Sequence, residues 1–356
     1  MKYLILTAFL TGTSAVNAAD FNPPLEGLIT GYIRPATAAF AETAFGLPDA
    51  VSTLCTAGTA VHRGAFQKVF SDTVRDFSRI QFLRFGPLLD DDRLSRLSFR
   101  PDPRGRAQRQ IRKLYVTKDP SVLSAQSLGK KSVAVQSLTA LELIAFDTDT
   151  TVTLGHSGED RDYTCGYALA IAANVAEIAE AAAADWADPD GFSLQLLSAG
   201  PESDRYRSGK EALEAVYNAL ATGVTIAKDQ DIIPALGQSE DKAKPRRFPF
   251  SRSGNSVVYL TGELNGIHDA LLSMDLKPLM PPADQWTLDT LGFEFTNAGN
   301  YLAALEKPLR KTFAEGGNYN RVAALSITLS SIQELMTDGV AGALGLAGGF
   351  NALDGD

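Results

Sequence analysis

The first candidate for chemistry is Glu142, which lies with Thr139 in the run SLTALE at residues 137–142. On a helix these two polar side chains share one face, beside an apolar face that includes Leu138 and Leu141. A glutamate in this position either lies at the edge of the core in contact with water or belongs to a site, because unpartnered carboxylates are rarely buried. We therefore predict a helix here and treat Glu142 as a candidate site residue, with an ordinary solvated glutamate as the alternative.

The second candidate is FPFSRSGNS, in which Arg252 and Ser253 stand just before a predicted helix. Ser253 or Asn255 can cap that helix. The exposed amides of a helix start, together with a guanidinium, are suited to an anion or a carboxylate. We interpret the segment as a cap with a possible second role in anion binding.

His268 lies further along the same predicted helix, in a polar line with Thr261 and Asn265. Such a line faces another helix or a cleft, so we keep His268 as a candidate binding residue. His62 and His156 are interpreted as packing and loop residues. Three isolated histidines and two cysteines do not form a zinc-binding pattern.

The sequence lacks HExxH, GxSxG, a Walker loop and a GxGxxG fingerprint, so the commonest enzyme classes have no local support and no catalytic residue is assigned. The formal net charge of −9 argues against nucleic-acid binding. Two basic clusters do occur, RPDPRGRAQRQIRK from Arg100 and KAKPRRF from Lys242. We interpret both as solvated loops, with anion binding as the alternative.

Residues 1–18 have the features of a secretory signal: Lys2, an apolar stretch and small residues before a cut after Ala18 or Ala19. We predict export and cleavage there, and no later run long enough to span a membrane. Export favours a disulfide between the two cysteines, Cys55 and Cys165, with buried free thiols as the alternative.

Apolar residues recur at three- and four-residue spacing along most of the chain, which predicts an all-α protein built of helical bundles. The stretch from Asp188 to Asp204 combines proline, glycine and acidic residues, and we place a domain boundary in it. The predicted domains are an N-terminal bundle, residues 19–195, and a C-terminal bundle, residues 196–356.

Several segments, taken in order, resemble the imelysin family. They are IQFLRFGPL, LSFRPDPRGRAQRQIRKL, SLTALELIAF, YTCGYALAIAANV, FPFSRSGNS and the terminal LGLAGGFNALDGD. The resemblance implies two packed helical bundles with a pocket at their junction, export, and a link to bacterial iron acquisition. The family is also classed as a metallopeptidase family.

The family motif GxHxxE aligns on residues 137–142, where this chain has Ser137 for the glycine and Thr139 for the histidine and keeps Glu142. Threonine is a poor ligand for divalent metals compared with imidazole, so the motif's metal pair cannot form here. We expect metal binding to be weak or to use oxygen ligands, including Asp354 and Asp356 if the tail folds back.

The leading hypothesis is a periplasmic, imelysin-like protein that binds iron, another divalent metal or a small anionic ligand at the domain junction. Glu142 supplies a carboxylate and the metal contact, Thr139 a hydroxyl, and Arg252 with Ser253 an anion-binding group, with His268 as a further contact. A membrane iron-uptake component is the expected partner, and nucleic acid is not. The alternatives are a metallopeptidase and a docking protein without a small-molecule site.

Overall fold

The computed structural model describes residues 20–346, and this part of the chain is helical without a named strand. Its only sheet-like pairing is an isolated antiparallel bridge between Phe146 and Val152. The all-α prediction is confirmed. The predicted signal at residues 1–18 and the tail carboxylates Asp354 and Asp356 lie outside the described residues.

Seventeen α-helices, α1 to α17, follow one another along the described chain. Their bounds are Asn22–Leu28, Arg34–Phe45, Leu47–Ala57, Ala60–Ile80, Arg93–Leu97, Arg106–Thr117, Ala125–Leu128, Leu138–Ala145, Arg161–Ala187, Phe192–Leu197, Gly209–Ile226, Ile233–Leu236, Ser256–Ser273, Trp286–Ala303, Leu309–Thr312, Asn318–Glu334 and Gly342–Leu344. Wider π-type turns join α1 to α2, α11 to α12 and α16 to α17. The shortest connecting helices are single 3₁₀ turns at Gly86–Leu88, Asp90–Asp92, Pro120–Val122, Val133–Val135, Glu240–Lys242, Pro245–Arg247 and Lys277–Leu279.

The long helix α9 packs on α2 and α3 and buries a stripe that includes Ile171, Val175 and Ile178. It is the one described helix that is long and apolar enough to cross a membrane, and over half of its most apolar window is buried within the fold, as in a core helix. A disulfide joins Cys165 on α9 to Cys55 on α3, with Cα atoms 5.9 Å apart. The predicted pairing is confirmed.

Helices α4 and α13 lie on opposite sides of the predicted domain boundary in sequence, yet they pack closely on each other. Two glycines of α13 make this approach possible. A Cβ at Gly262 would lie 2.0 Å from the Ser78 hydroxyl, and one at Gly266 would lie 2.2 Å from the Arg79 carbonyl oxygen. Glycine is required where backbones approach this closely. The division into residues 19–195 and 196–356 stays a prediction.

Helix α8 forms as the periodicity predicts. The Ser137 hydroxyl accepts a hydrogen bond from the amide of Ala140 at the helix start, which satisfies one of the free amides there. Leu138, Leu141 and Ala145 are fully buried. Because these residues anchor the helix, its polar face is held in a fixed direction, toward the segment that precedes α13.

Candidate functional site

Glu142 is buried, with 7% of its surface exposed, and its carboxylate is held by one residue of a distant segment. Its Oε1 atom accepts hydrogen bonds from the Ser253 amide and from the Ser253 hydroxyl, each at 2.8 Å. A carboxylate removed from water needs such partners. The solvated alternative for Glu142 is therefore wrong for this fold.

The segment before α13 is shaped by its own aromatic residues and by local hydrogen bonds. Phe248 and Phe250 are buried, and the Asn255 amide donates to the Phe250 carbonyl oxygen at 2.9 Å. Asn255 occupies the cap position of α13, but no side chain caps that helix. Our capping prediction is wrong, because the Ser253 hydroxyl donates to Glu142 and the Asn255 side chain donates to Ser253 Oγ at 3.1 Å.

Thr139 lies one turn before Glu142, and the two residues line one cavity. Its hydroxyl is within 2.7 Å of the Ser137 hydroxyl and accepts a hydrogen bond from the Phe99 amide at 3.3 Å. These contacts join α8 to the segment that carries Arg100. Thr139 thus supports the wall of the cavity as well as presenting a hydroxyl.

The cavity has a volume of about 560 Å³, within the range typical of small-molecule sites. Thr139, Glu142 and Arg252 line it, as do residues of both basic clusters. Its walls come from the segment at 99–108, from α8, from the α11–α12 region, from the loop before α13 and from α15. The complete lining is Phe99, Arg100, Pro101, Asp102, Pro103, Gly105, Ala107, Gln108, Thr139, Glu142, Leu143, Gln230, Pro234, Arg246, Arg247, Phe248, Phe250, Ser251, Arg252 and Arg310.

Five arginines and two carboxylates line this cavity. Arg100 is in an ion pair with Asp231 at 2.8 Å. The other four, Arg246, Arg247, Arg252 and Arg310, form no ion pair with any residue of the described chain. The cavity is therefore electropositive even when both of its carboxylates are ionised.

Two of these arginines are held in place by neutral acceptors, which leave their charge uncompensated. Arg252 donates to the Phe146 carbonyl oxygen at 3.3 Å. Arg310 donates to the Thr148 carbonyl oxygen at 2.7 Å and to the Ser251 hydroxyl at 3.1 Å. Guanidinium groups positioned in this way are prepared to bind carboxylate or phosphate oxygens.

The electrostatics of the site follow from burial and crowding. Burial raises the pKa of Glu142 above its ordinary value, although hydrogen bonds from Ser253 and the charges of Arg100 and Arg252 act in the opposite direction. Burial, followed by the positive charge of Arg252, lowers the pKa of Arg310. Arg310 nevertheless remains charged at neutral pH, because a guanidinium does not lose its proton in proteins.

Two predicted site residues, Ser253 and His268, do not line the cavity; Ser253 binds Glu142, which does, whereas His268 lies elsewhere. It lies on α13, with its ring stacked on Phe295 of α14 at a centroid distance of 4.8 Å. Burial lowers its pKa, against the opposing charge of Asp269. The structure thus brings together Thr139, Glu142, Arg252 and Ser253, and places His268 between two helices elsewhere.

A bare divalent cation does not fit this cavity well. Within residues 20–346, no group of three or more His, Cys, Asp or Glu side chains is placed to hold a metal ion. Oε1 of Glu142 already accepts two hydrogen bonds, and the surrounding arginines repel a cation. Divalent metals need several oxygen, nitrogen or sulfur ligands.

The sequence interpretation missed four cavity arginines: Arg100, Arg246, Arg247 and Arg310. The first three belong to the two basic clusters that we interpreted as solvated loops. Two such clusters in a chain with an excess of acidic residues were the available signal. Arg310 lies in the short basic run KPLRK at residues 307–311, which we did not single out.

The family comparison identifies the chain. The model of the imelysin family matches residues 32–336, which include α8, the loop before α13 and all the arginines of the cavity. The chain belongs to the imelysin family. None of the curated proteins compared with it matches.

Two solved structures share the imelysin fold of this chain. An imelysin-like protein from Psychrobacter arcticum 273-4 superposes with a TM-score of 0.76 at 18% identity, over 94% of this chain and 99% of that one. A protein from Parabacteroides distasonis ATCC 8503, described as an iron-regulated protein A precursor, superposes with a TM-score of 0.67 at 12% identity, over 91% and 97%. At these identities the likeness shows a shared fold.

Proposed function

We propose that this imelysin-family chain is an exported binding protein in an iron-related process, and that its ligand is an anion held in the arginine-lined cavity. Support for the iron-related role comes from the family and from the description of the Parabacteroides distasonis structure. The observation that carries the ligand class is the set of four cavity arginines without an ion-pair partner among residues 20–346.

The ligand that fits best is a polycarboxylate, either free or carrying ferric iron. Several carboxylates of one molecule can each meet a guanidinium, and such charge-assisted pairs are among the stronger hydrogen bonds in proteins. A cavity of about 560 Å³ accepts a molecule of this size. Iron then reaches the protein as part of an anionic chelate, so the protein needs no cation site of its own.

The buried Glu142 is assigned a structural part in this site. Its bond to Ser253 fixes the loop that carries Arg252 against α8, which positions that guanidinium at the cavity wall. Preorganised charges bind more tightly because less ordering is required when the ligand arrives. Glu142 acts here as a positioning residue, and the threonine at 139 in place of the motif histidine is compatible with that role.

The test is calorimetry on the purified protein with citrate, ferric citrate, ferrous ion and zinc ion as separate titrants. We expect citrate or ferric citrate to bind, with an affinity that falls as ionic strength rises, and the free cations to bind at least tenfold more weakly. Tight binding of free iron or zinc without citrate binding would overturn the proposal. A parallel peptide-cleavage assay tests the peptidase alternative: chelator-sensitive cleavage that Glu142→Gln abolishes would favour the peptidase.

A further inference from the structure

A second, much smaller cavity, the inner cavity, adjoins the arginine-lined one. Its volume is about 20 Å³, and Arg100 and Gln230 line both cavities. One water-sized particle needs roughly 10 to 15 Å³ of this kind of volume. The inner cavity thus has room for one such particle and is too small for a phosphate, a citrate or a chelate.

Arg84, which lines the inner cavity, makes no side-chain hydrogen bond or ion pair with any residue of the described chain, and its Nε is buried without a partner. A guanidinium carries five N–H donors, and leaving even one of them buried without a partner is costly. Burial lowers its pKa, against the charges of Tyr259, Glu263 and Asp231. Arg84 is the charged group around this cavity that has neither an ion pair nor a side-chain hydrogen bond among the described residues.

Two further donors of the same wall are also unpartnered and buried: Nε of Arg100 and the hydroxyl of Ser98. Buried polar groups in folded proteins almost always have partners. The unsatisfied groups on this wall are N–H and O–H donors, so their missing partner is a strong acceptor. A water molecule accepts about two hydrogen bonds and carries no charge, whereas a monatomic anion accepts more and supplies a negative charge.

Asp231 lines this cavity and, like Glu263, acts electrostatically on Arg84, but neither carboxylate forms an ion pair with it. Asp231 is in an ion pair with Arg100 at 2.8 Å. Glu263 is fully buried; its Oε1 accepts a hydrogen bond from the Gln81 side chain and its Oε2 has no partner. Burial, followed by repulsion from Asp231, raises the pKa of Glu263 well above its ordinary value. While Glu263 holds its proton and Asp231 is ionised, the group of two arginines and two carboxyls carries one excess positive charge.

We infer that the inner cavity is a binding site for one monatomic anion of the halide class, held by Arg84, Arg100 and Ser98. The site is separate from the proposed polycarboxylate site, although Arg100 lines both. Glu263 interacts electrostatically with both arginines, so its ionisation adds a competing negative charge and halide affinity falls as pH rises through the Glu263 pKa. Asp231, Tyr259 and the two arginines are the other charged or titratable groups that contribute to this dependence.

The first test is a crystal of the full protein grown or soaked in sodium bromide, with data collected at the bromine absorption edge. We expect one strong anomalous peak within the inner cavity, close to the Arg84 guanidinium. The second test is thermal unfolding at constant ionic strength, with sodium gluconate replaced stepwise by sodium chloride. Gluconate is too large for the cavity, so we expect the unfolding temperature to rise with chloride and to saturate.

The variants are Arg84→Met, which removes the charge at similar length, and Arg112→Gln, which removes an exposed arginine outside both cavities. Arg84→Met should abolish both the peak and the chloride dependence, and Arg112→Gln should keep both. If Arg84→Met fails to fold, Glu263→Gln decides, because a permanently neutral residue at 263 should keep halide binding to higher pH than in the wild type. An ordered water without a bromide peak, or an unfolding temperature indifferent to chloride, would overturn the inference.

Discussion

Ser253 binds Glu142 through both its amide and its hydroxyl, each 2.8 Å from the same carboxylate oxygen, across 111 residues of sequence. This pair ties α8 to the loop before α13 and so joins segments on either side of the predicted domain boundary. It also places Arg252, the preceding residue, at the cavity wall. The geometry of the anion site therefore depends on a contact between two residues that do not themselves have to touch the ligand.

Ser253→Ala should destabilise the protein by about 1 to 3 kcal/mol, because it removes one hydrogen bond from a buried carboxylate and leaves only the amide donor. Urea denaturation followed by circular dichroism measures the change. Ser95→Ala, at an exposed serine for which no side-chain hydrogen bond is found in the described chain, is the control and should alter stability by less than about 0.5 kcal/mol. Equal stability of the Ser253 and Ser95 variants would mean that the hydroxyl contributes nothing.

The stability of the wild type should fall as pH rises above the ordinary glutamate value of 4.5, relative to Glu263→Gln. The pKa of Glu263 is raised in the folded protein, so the folded state holds a proton that the unfolded state releases. That stabilising contribution is complete below the unfolded pKa and is lost as pH approaches the folded one. The variant cannot ionise, and its glutamine can still accept the hydrogen bond from Gln81.

Denaturation curves of both proteins between pH 4 and pH 9, at one chloride concentration, give the difference in unfolding free energy. We expect the difference to shift steadily in favour of Glu263→Gln as pH rises. A constant difference across this range would show that Glu263 titrates alike in the folded and unfolded states.

Loss of the disulfide should lower the free energy of unfolding substantially. The bridge between Cys55 and Cys165 closes a loop with a sequence separation of 110, for which the chain-entropy model gives about 4 to 5 kcal/mol. We expect the Cys55→Ser, Cys165→Ser double variant to lose several kcal/mol of unfolding free energy. The reduced wild type should have the same free energy of unfolding as the double variant. A double variant as stable as the oxidised wild type would contradict the expectation.

Export is tested by the mass of the mature protein. The charged start, apolar stretch and small residues of the first 18 positions predict cleavage after Ala18 or Ala19. Mass spectrometry of the exported protein, recovered from outside the cytoplasm of the producing cell, should therefore find Ala19 or Asp20 at the amino terminus. A soluble cytoplasmic product that keeps Met1 would contradict it.

The sequence predicts local structure in this protein better than it predicts the site. Helix α8 follows from apolar spacing between near neighbours, and the disulfide follows from having two cysteines and an export signal. The Glu142 to Ser253 contact joins distant segments, and no local pattern encodes it. The sequence therefore suggested a capping role that Ser253 does not have. The assignment of Glu142 to a site stays a prediction, and the structure shows that this residue is buried and bound to Ser253.

The cavity arginines show the same limit. Arg100, Arg246 and Arg247 lie in basic clusters that typically belong to solvated loops, and only the packing of those loops against α8 turns them toward one space. His268 had a polar line of neighbours typical of a cleft, but its ring packs on Phe295. Tertiary packing decides which polar helix face lines a cavity, and the sequence pattern alone does not show it.

The most direct test of the anion-binding account compares citrate affinity in Arg252→Gln and Glu142→Gln by calorimetry, with Arg112→Gln as the control. Arg252→Gln removes a charge-assisted contact worth about 1.5 to 3 kcal/mol, so affinity should fall by about 10- to 100-fold. Glu142→Gln removes a negative charge but keeps an acceptor for Ser253, so citrate should bind as tightly as before or more tightly. Arg112→Gln should match the wild type. The account is contradicted if Glu142→Gln abolishes binding while Arg252→Gln leaves it unchanged, because that is the pattern of a metal-cation site.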